Sequence, residues 1–106
     1  MNIFLIDTLD FLDNNIFKYE RIPLREAVEM IKSNPWTSYL QSIESEHLLK
    51  KTTNENIYRN TTIPVMKAGD VGIILQWYLE TPIFATEIYD NSIPYTIGKI
   101  TVLRTQ

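Results

Sequence analysis

The run Gly69-Asp70-Val71-Gly72-Ile73-Ile74-Leu75-Gln76-Trp77-Tyr78-Leu79 is the most continuously apolar stretch of the chain. Val71, Ile73, Ile74, Leu75 and Trp77 fall at both parities, so a strand here shows apolar side chains to both faces of a sheet. Gly72 lies inside the run, and β-branched and aromatic residues favour a pleated surface over a helix. The reading is a central strand needing cover on both sides, with Gly69-Asp70 as the turn that leads into it.

The flanking elements follow from this strand. Ile3-Phe4-Leu5-Ile6 reads as a short buried first strand that releases the polar Asp7 at its C-terminal end. Asp13-Asn14-Asn15 reads as a turn, and Ile16 to Ile22 as a second strand that pairs with the first in a hairpin. Pro23 suits the first position of a helix, in which Leu24, Ala27, Val28 and Ile31 form one apolar stripe. Asn34-Pro35 ends it, because proline drives the preceding residue out of the helical region. Ser38 with Gln41 three residues on resembles a capping box, and Leu40, Ile43, His47 and Lys50 or Lys51 then trace one face of a second helix. Lys50-Lys51 complements its C-terminal dipole.

The stretch from Thr52 to Thr62 is polar and reads as a connection, with a short irregular strand at Ile57-Tyr58. Ile63-Pro64-Val65-Met66 reads as at best an edge strand, since Pro64 cannot donate to a ladder. Ile83 to Tyr89 reads as a third, short helix and Ile97 to Leu103 as a last strand. This order gives an α/β fold over a single domain, residues 1–106, with a mixed sheet of about five strands, two main helices and one short helix. A purely parallel doubly wound sheet is not expected, because the first two strands are too close for a helical crossover.

Composition narrows the function classes. The 106 residues hold one modest core, and 44% hydrophobic with 22% charged residues is the makeup of a folded chain. With no cysteine there is neither a disulfide nor a thiolate metal site, which fits the cytoplasm. The apolar start lacks a basic region and is interrupted by Asp7 and Asp10, so no signal peptide is expected, and no run is long enough to span a membrane. A net charge of −3 with scattered Lys and Arg lacks the footprint of a duplex nucleic-acid binder.

No strong catalytic motif is present. His47 is the only histidine, so no imidazole pair can hold a metal, and its place beside Leu40 and Ile43 favours packing over catalysis. Glu44, Glu46 and Glu55 read as a solvated flank rather than a metal site. Gly69-Asp70 lacks the second glycine cluster and following Lys-Ser or Lys-Thr of a phosphate loop. Trp36, Tyr39, Trp77 and Tyr78 lack the interleaved cations of a base-stacking surface.

The order of segments nonetheless resembles the small proteins of archaeal viruses, phages and integrative elements that include the viral anti-CRISPR ring nucleases. The likeness covers most of the chain. It runs through Phe4-Leu5-Ile6, the helix start Ile22-Pro23-Leu24-Arg25-Glu26-Ala27-Val28, and Ser38-Tyr39-Leu40-Gln41-Ser42, similar to a Ser-Ala-Ile-Gly-His helix start. Arg59-Asn60, similar to an Asn-Arg pair, and the Gly69-Asp70 turn with its strand to Trp77 complete it. The resemblance implies a homodimer whose two-fold groove binds and cleaves cyclic tetra-adenylate, the second messenger of type III CRISPR defence.

At the reacting positions this chain departs. The family's early asparagine falls on Asp7, its histidine on Ser42, and its arginine after the central strand on Glu80. Two carboxylates then face a tetra-anion, and a serine hydroxyl does not titrate near neutral pH as a general acid must. The resemblance therefore implies a groove of Asp7, Ser38, Ser42, Arg59, Asn60 and Glu80 with no catalytic residue, metal or cofactor. The expectation is a viral or mobile-element protein, homodimeric in the host cytoplasm, that counters host defence by binding a defence protein. The alternative is a cyclic-oligonucleotide binder or ring nuclease, for which only Arg59, Lys67 and Lys99 offer cations.

Overall fold

A computed structural model describes residues 1–9, 15–77 and 95–105. Five strands form one mixed sheet that carries both helices, an α/β architecture. In chain order the elements are β1 (Ile3–Ile6), β2 (Asn15–Arg21), α1 (Leu24–Ser33), β3 (Trp36–Ser38), α2 (Ile43–Thr53), β4 (Val71–Trp77) and β5 (Tyr95–Thr105). The strand order is β2-β5-β4-β1-β3, with β1 parallel to both β3 and β4, and β5 antiparallel to both β4 and β2.

The apolar run is the middle strand, β4, as its two-sided pattern requires. Val71, Ile73 and Leu75 lie in a cluster with Ile3, Leu5, Ala27 and Ile31, and with Leu49 of α2, so both helices cover one face. Ile74 lies in a second cluster with Ile6, Met66, Ile100 and Val102 on the other face. A Cβ on Gly72 would stand 3.4 Å from the methyl of Met66 and 3.2 Å from Ile100 Cγ1, so the glycine lets the loop residue seat on the sheet. The turn before β4 has Gly69 at φ 93°, a conformation that favours glycine. Asp70 closes it by accepting from Lys67 N–H at 2.7 Å, and Gly69 N–H donates to Val102 O at 2.7 Å.

The hairpin expected of β1 and β2 does not form. β1 is apolar at both parities and takes an interior place between β3 and β4, whereas β2 alternates with Lys18 and Glu20 and goes to the far edge, beyond β5. Pro23 is the N-cap residue of α1 rather than its first helical position. The start of the second helix is also different. Trp36–Ser38 pairs with β1 as an edge strand, and the cap of α2 is Ser42, four residues after the expected Ser38. Two Ser-x-x-polar spacings compete locally, and pairing with β1 commits the first of them to the sheet.

The buried face of α2 is Ser45, Leu49 and Thr53, not the stripe expected through Leu40, Ile43 and His47. Leu40 lies outside the helix in the core, while Ile43 and His47 are exposed, so the histidine is a surface residue rather than a packed one. Asn54 ends α2 in the left-handed region at φ 56°. Ile63–Met66 is not a strand: Pro64 and Met66 turn inward and Ile63 and Val65 outward. In place of a strand at Ile57-Tyr58, a single parallel bridge joins Leu40 to Arg59. The short helix expected over Ile83 to Tyr89 and most of the Asp13–Asn15 turn lie outside the described residues.

Candidate functional site

Parallel strands β1 and β3 end side by side, with Leu5 registered on Ser38. Their C-terminal ends, where open α/β sheets characteristically place ligands, therefore bring Asp7 next to the chain that leads into α2. The Asp7 carboxylate accepts from Gln41 N–H, 3.0 Å from each oxygen, and Oδ2 accepts from Ser42 N–H at 3.0 Å. Ser42 Oγ accepts from Ser45 N–H at 3.1 Å and donates to Ser45 Oγ at 2.8 Å. Two residues that stand 35 apart in sequence thus form one device, a carboxylate that holds the two amides leading into α2 and a hydroxyl that caps its first turn at Ser45.

The electrostatic sense of this corner is acidic. The positive end of a helix dipole favours an anion, and here the protein supplies the anion itself. Asp7 sits on the amides while Glu44 and Glu46 occupy the first turn.

Ser38 is buried and structural. Its hydroxyl donates to Tyr58 O and accepts from Leu40 N–H at 3.3 Å, tying β3 to the connection after α2. That connection lies along the same segment, since Asn60 N–H donates to Leu40 O at 2.8 Å next to the Leu40–Arg59 bridge. Asn60 Oδ1 accepts from Thr62 N–H at 3.0 Å, so its side chain holds its own turn. Arg59 is exposed and is brought beside this segment by its bridge to Leu40. Tyr39 stacks on Phe4 with ring centroids 5.6 Å apart, and Trp36 leans on Tyr58 at 5.7 Å, so these aromatics are spent on protein contacts.

Of the groove residues, Asp7 and Ser42 converge directly. Ser38, Arg59 and Asn60 border them through the 38–42 segment, and Glu80 lies outside the described residues. Lys67 is not part of this corner, because it sits at the turn before β4, at the opposite end of the parallel strands. Lys99 lies within β5, registered on Ile73. The role of Asp7 as a clamp on α2 was not apparent from sequence. An Asp just past a buried strand was the only available signal, and its partners are distant in the chain.

Among the described residues no group of three or more His, Cys, Asp or Glu could hold a metal ion. No described helix is long and apolar enough to cross a membrane. No family model matches the chain, and no curated protein matches it in sequence.

Proposed function

We propose that this protein counters a host defence system by binding a protein target, without turning over a cyclic nucleotide. The observation that carries the reading is the Asp7 carboxylate on the amides of Gln41 and Ser42. An intramolecular anion already sits on the two amides that lead into α2, and Glu44 and Glu46 add to the negative potential around it, which disfavours a phosphate there. The serine hydroxyl at position 42 is itself committed to Ser45. Protein contact is further supported by exposed apolar residues on the loop between α2 and β4. Ile63 and Val65 are 68% and 78% exposed while Pro64 and Met66 anchor the same segment, which gives a fixed outward pair for a partner to cover.

The second reading, a cyclic oligonucleotide binder, draws on the gathering of Asp7, Ser38, Ser42, Arg59 and Asn60 at the C-terminal ends of parallel strands. Labelled cyclic tetra-adenylate separates the two. The purified protein is expected neither to retain nor to cleave it at concentrations well above micromolar, and Asp7→Asn, which removes the intramolecular anion, is expected to gain weak retention. Tight binding or rapid cleavage by the unmodified protein overturns the protein-contact reading.

A further inference from the structure

We infer that residues 63–66 receive an extended strand of the protein target, antiparallel, whose side chains run acidic, apolar, apolar at every second position. The inference rests on the protein-contact reading and names the chemistry of its partner. Exposure alternates along the segment, with Ile63 and Val65 outward and Pro64 and Met66 buried, which is the two-residue period of an extended chain. Among the described residues, however, neither Ile63 nor Val65 makes a backbone hydrogen bond. In an extended chain successive residues turn their N–H and C=O to opposite sides. The donor that Pro64 lacks therefore belongs to one side, and the side served by Ile63 and Val65 keeps all its groups. Side chains close this edge at both ends: Asn60 Oδ1 accepts from Thr62 N–H at 3.0 Å, and Asp70 Oδ2 accepts from Lys67 N–H at 2.7 Å.

A row of unpaired amides and carbonyls is a template for another chain. Strand addition takes its affinity from such main-chain bonds and its specificity from alternate side chains. The segment is already held extended, because Met66 is packed with Ile6, Ile74, Ile100 and Val102, so a partner has little of it left to order.

The side chains define the partner. The exposed row reads Ile63, Val65, Lys67. Between Glu55 and Asp70 the chain carries Arg59 and Lys67 and no carboxylate, although its net charge is −3. Both cations are exposed, and the bordering Asp70 carboxylate is committed to the Lys67 amide. Antiparallel pairing is the more stable per residue. A strand in that sense meets Lys67 first, then Val65, then Ile63. Its stabilising cross-strand pairs are a carboxylate on Lys67 and β-branched residues on the other two.

The probe is a labelled peptide, Thr-Glu-Thr-Val-Thr-Val-Thr, compared with the same peptide carrying Lys for Glu, and binding to the full chain is read by fluorescence anisotropy. The wild type should bind the glutamate peptide saturably and about threefold or more tighter than the lysine peptide, and Lys67→Glu should invert that preference. Val65→Pro deletes an N–H that has no partner in the free chain, so circular dichroism should be unchanged while binding weakens by about tenfold. Val65→Thr, which keeps the N–H and the side-chain shape, should retain most of the affinity. A wild type that holds neither peptide, a preference that Lys67→Glu leaves unchanged, or equal losses in Val65→Pro and Val65→Thr overturns strand addition. Val65 and Lys67 lie outside the Asp7 corner, so cyclic tetra-adenylate retention is a separate readout. Loss of peptide binding without nucleotide retention sinks strand addition alone, whereas tight nucleotide retention sinks the reading on which it rests.

Discussion

Asp7 shows how much a single carboxylate can decide. It stands one residue past β1 and holds two backbone amides in front of α2. Removing it leaves those amides without their partner and weakens the joint between sheet and helix. Asp7→Ala should lower unfolding free energy by about 1–2 kcal/mol, and Ser42→Ala by about 1 kcal/mol, both read from urea denaturation. Because the two residues serve the same helix end, their effects should not add in the double variant. An Asp7→Ala midpoint equal to wild type would show that the clamp contributes nothing.

The decisive element is β4, and its two faces are unequally covered. The helices pack on one, while the loop residue Met66 seats on the other with Ile74, Ile6, Ile100 and Val102. Ile74 is fully buried there. Ile74→Ala should cost about 2–5 kcal/mol, and Ile74→Val about 0.5–1.5 kcal/mol, on the same denaturation measurement. An unchanged stability for the alanine variant would contradict a packed second face. The helix α2, by contrast, was misread in its face because two small polar residues, Ser45 and Thr53, are buried beside Leu49. Their hydroxyls bond locally, Thr53 Oγ1 to Leu49 O at 2.5 Å, and among the described residues no buried side-chain N or O atom is left without a partner.

At the scale of the whole molecule, pH enters through Tyr95, which pairs with Trp77 and lies in the helix-side core. Burial raises its phenol above the usual 10.0. The unfolded chain then loses this proton first as pH rises, so the contribution is complete below about pH 10 and declines above it. Tyr95→Phe should flatten the alkaline limb of a stability-versus-pH profile relative to wild type. An identical limb in the variant would remove Tyr95 as its source.

The sequence by itself determined the class of fold, the boundaries of α1 to within a residue, and the central place of β4, because each rests on a pattern repeated over many neighbouring residues. Two-sided apolarity, helical periodicity and the Asn34-Pro35 stop are local signals that need no partner. Tertiary structure alone decided which strands pair, which serine caps α2, and what Asp7 does. Trp36–Ser38 becomes a strand only because β1 offers an open edge beside it, and Asp7 becomes a clamp only because β1 and β3 end in register. Such choices depend on contacts between residues more than thirty positions apart, whose energies no local window of sequence contains.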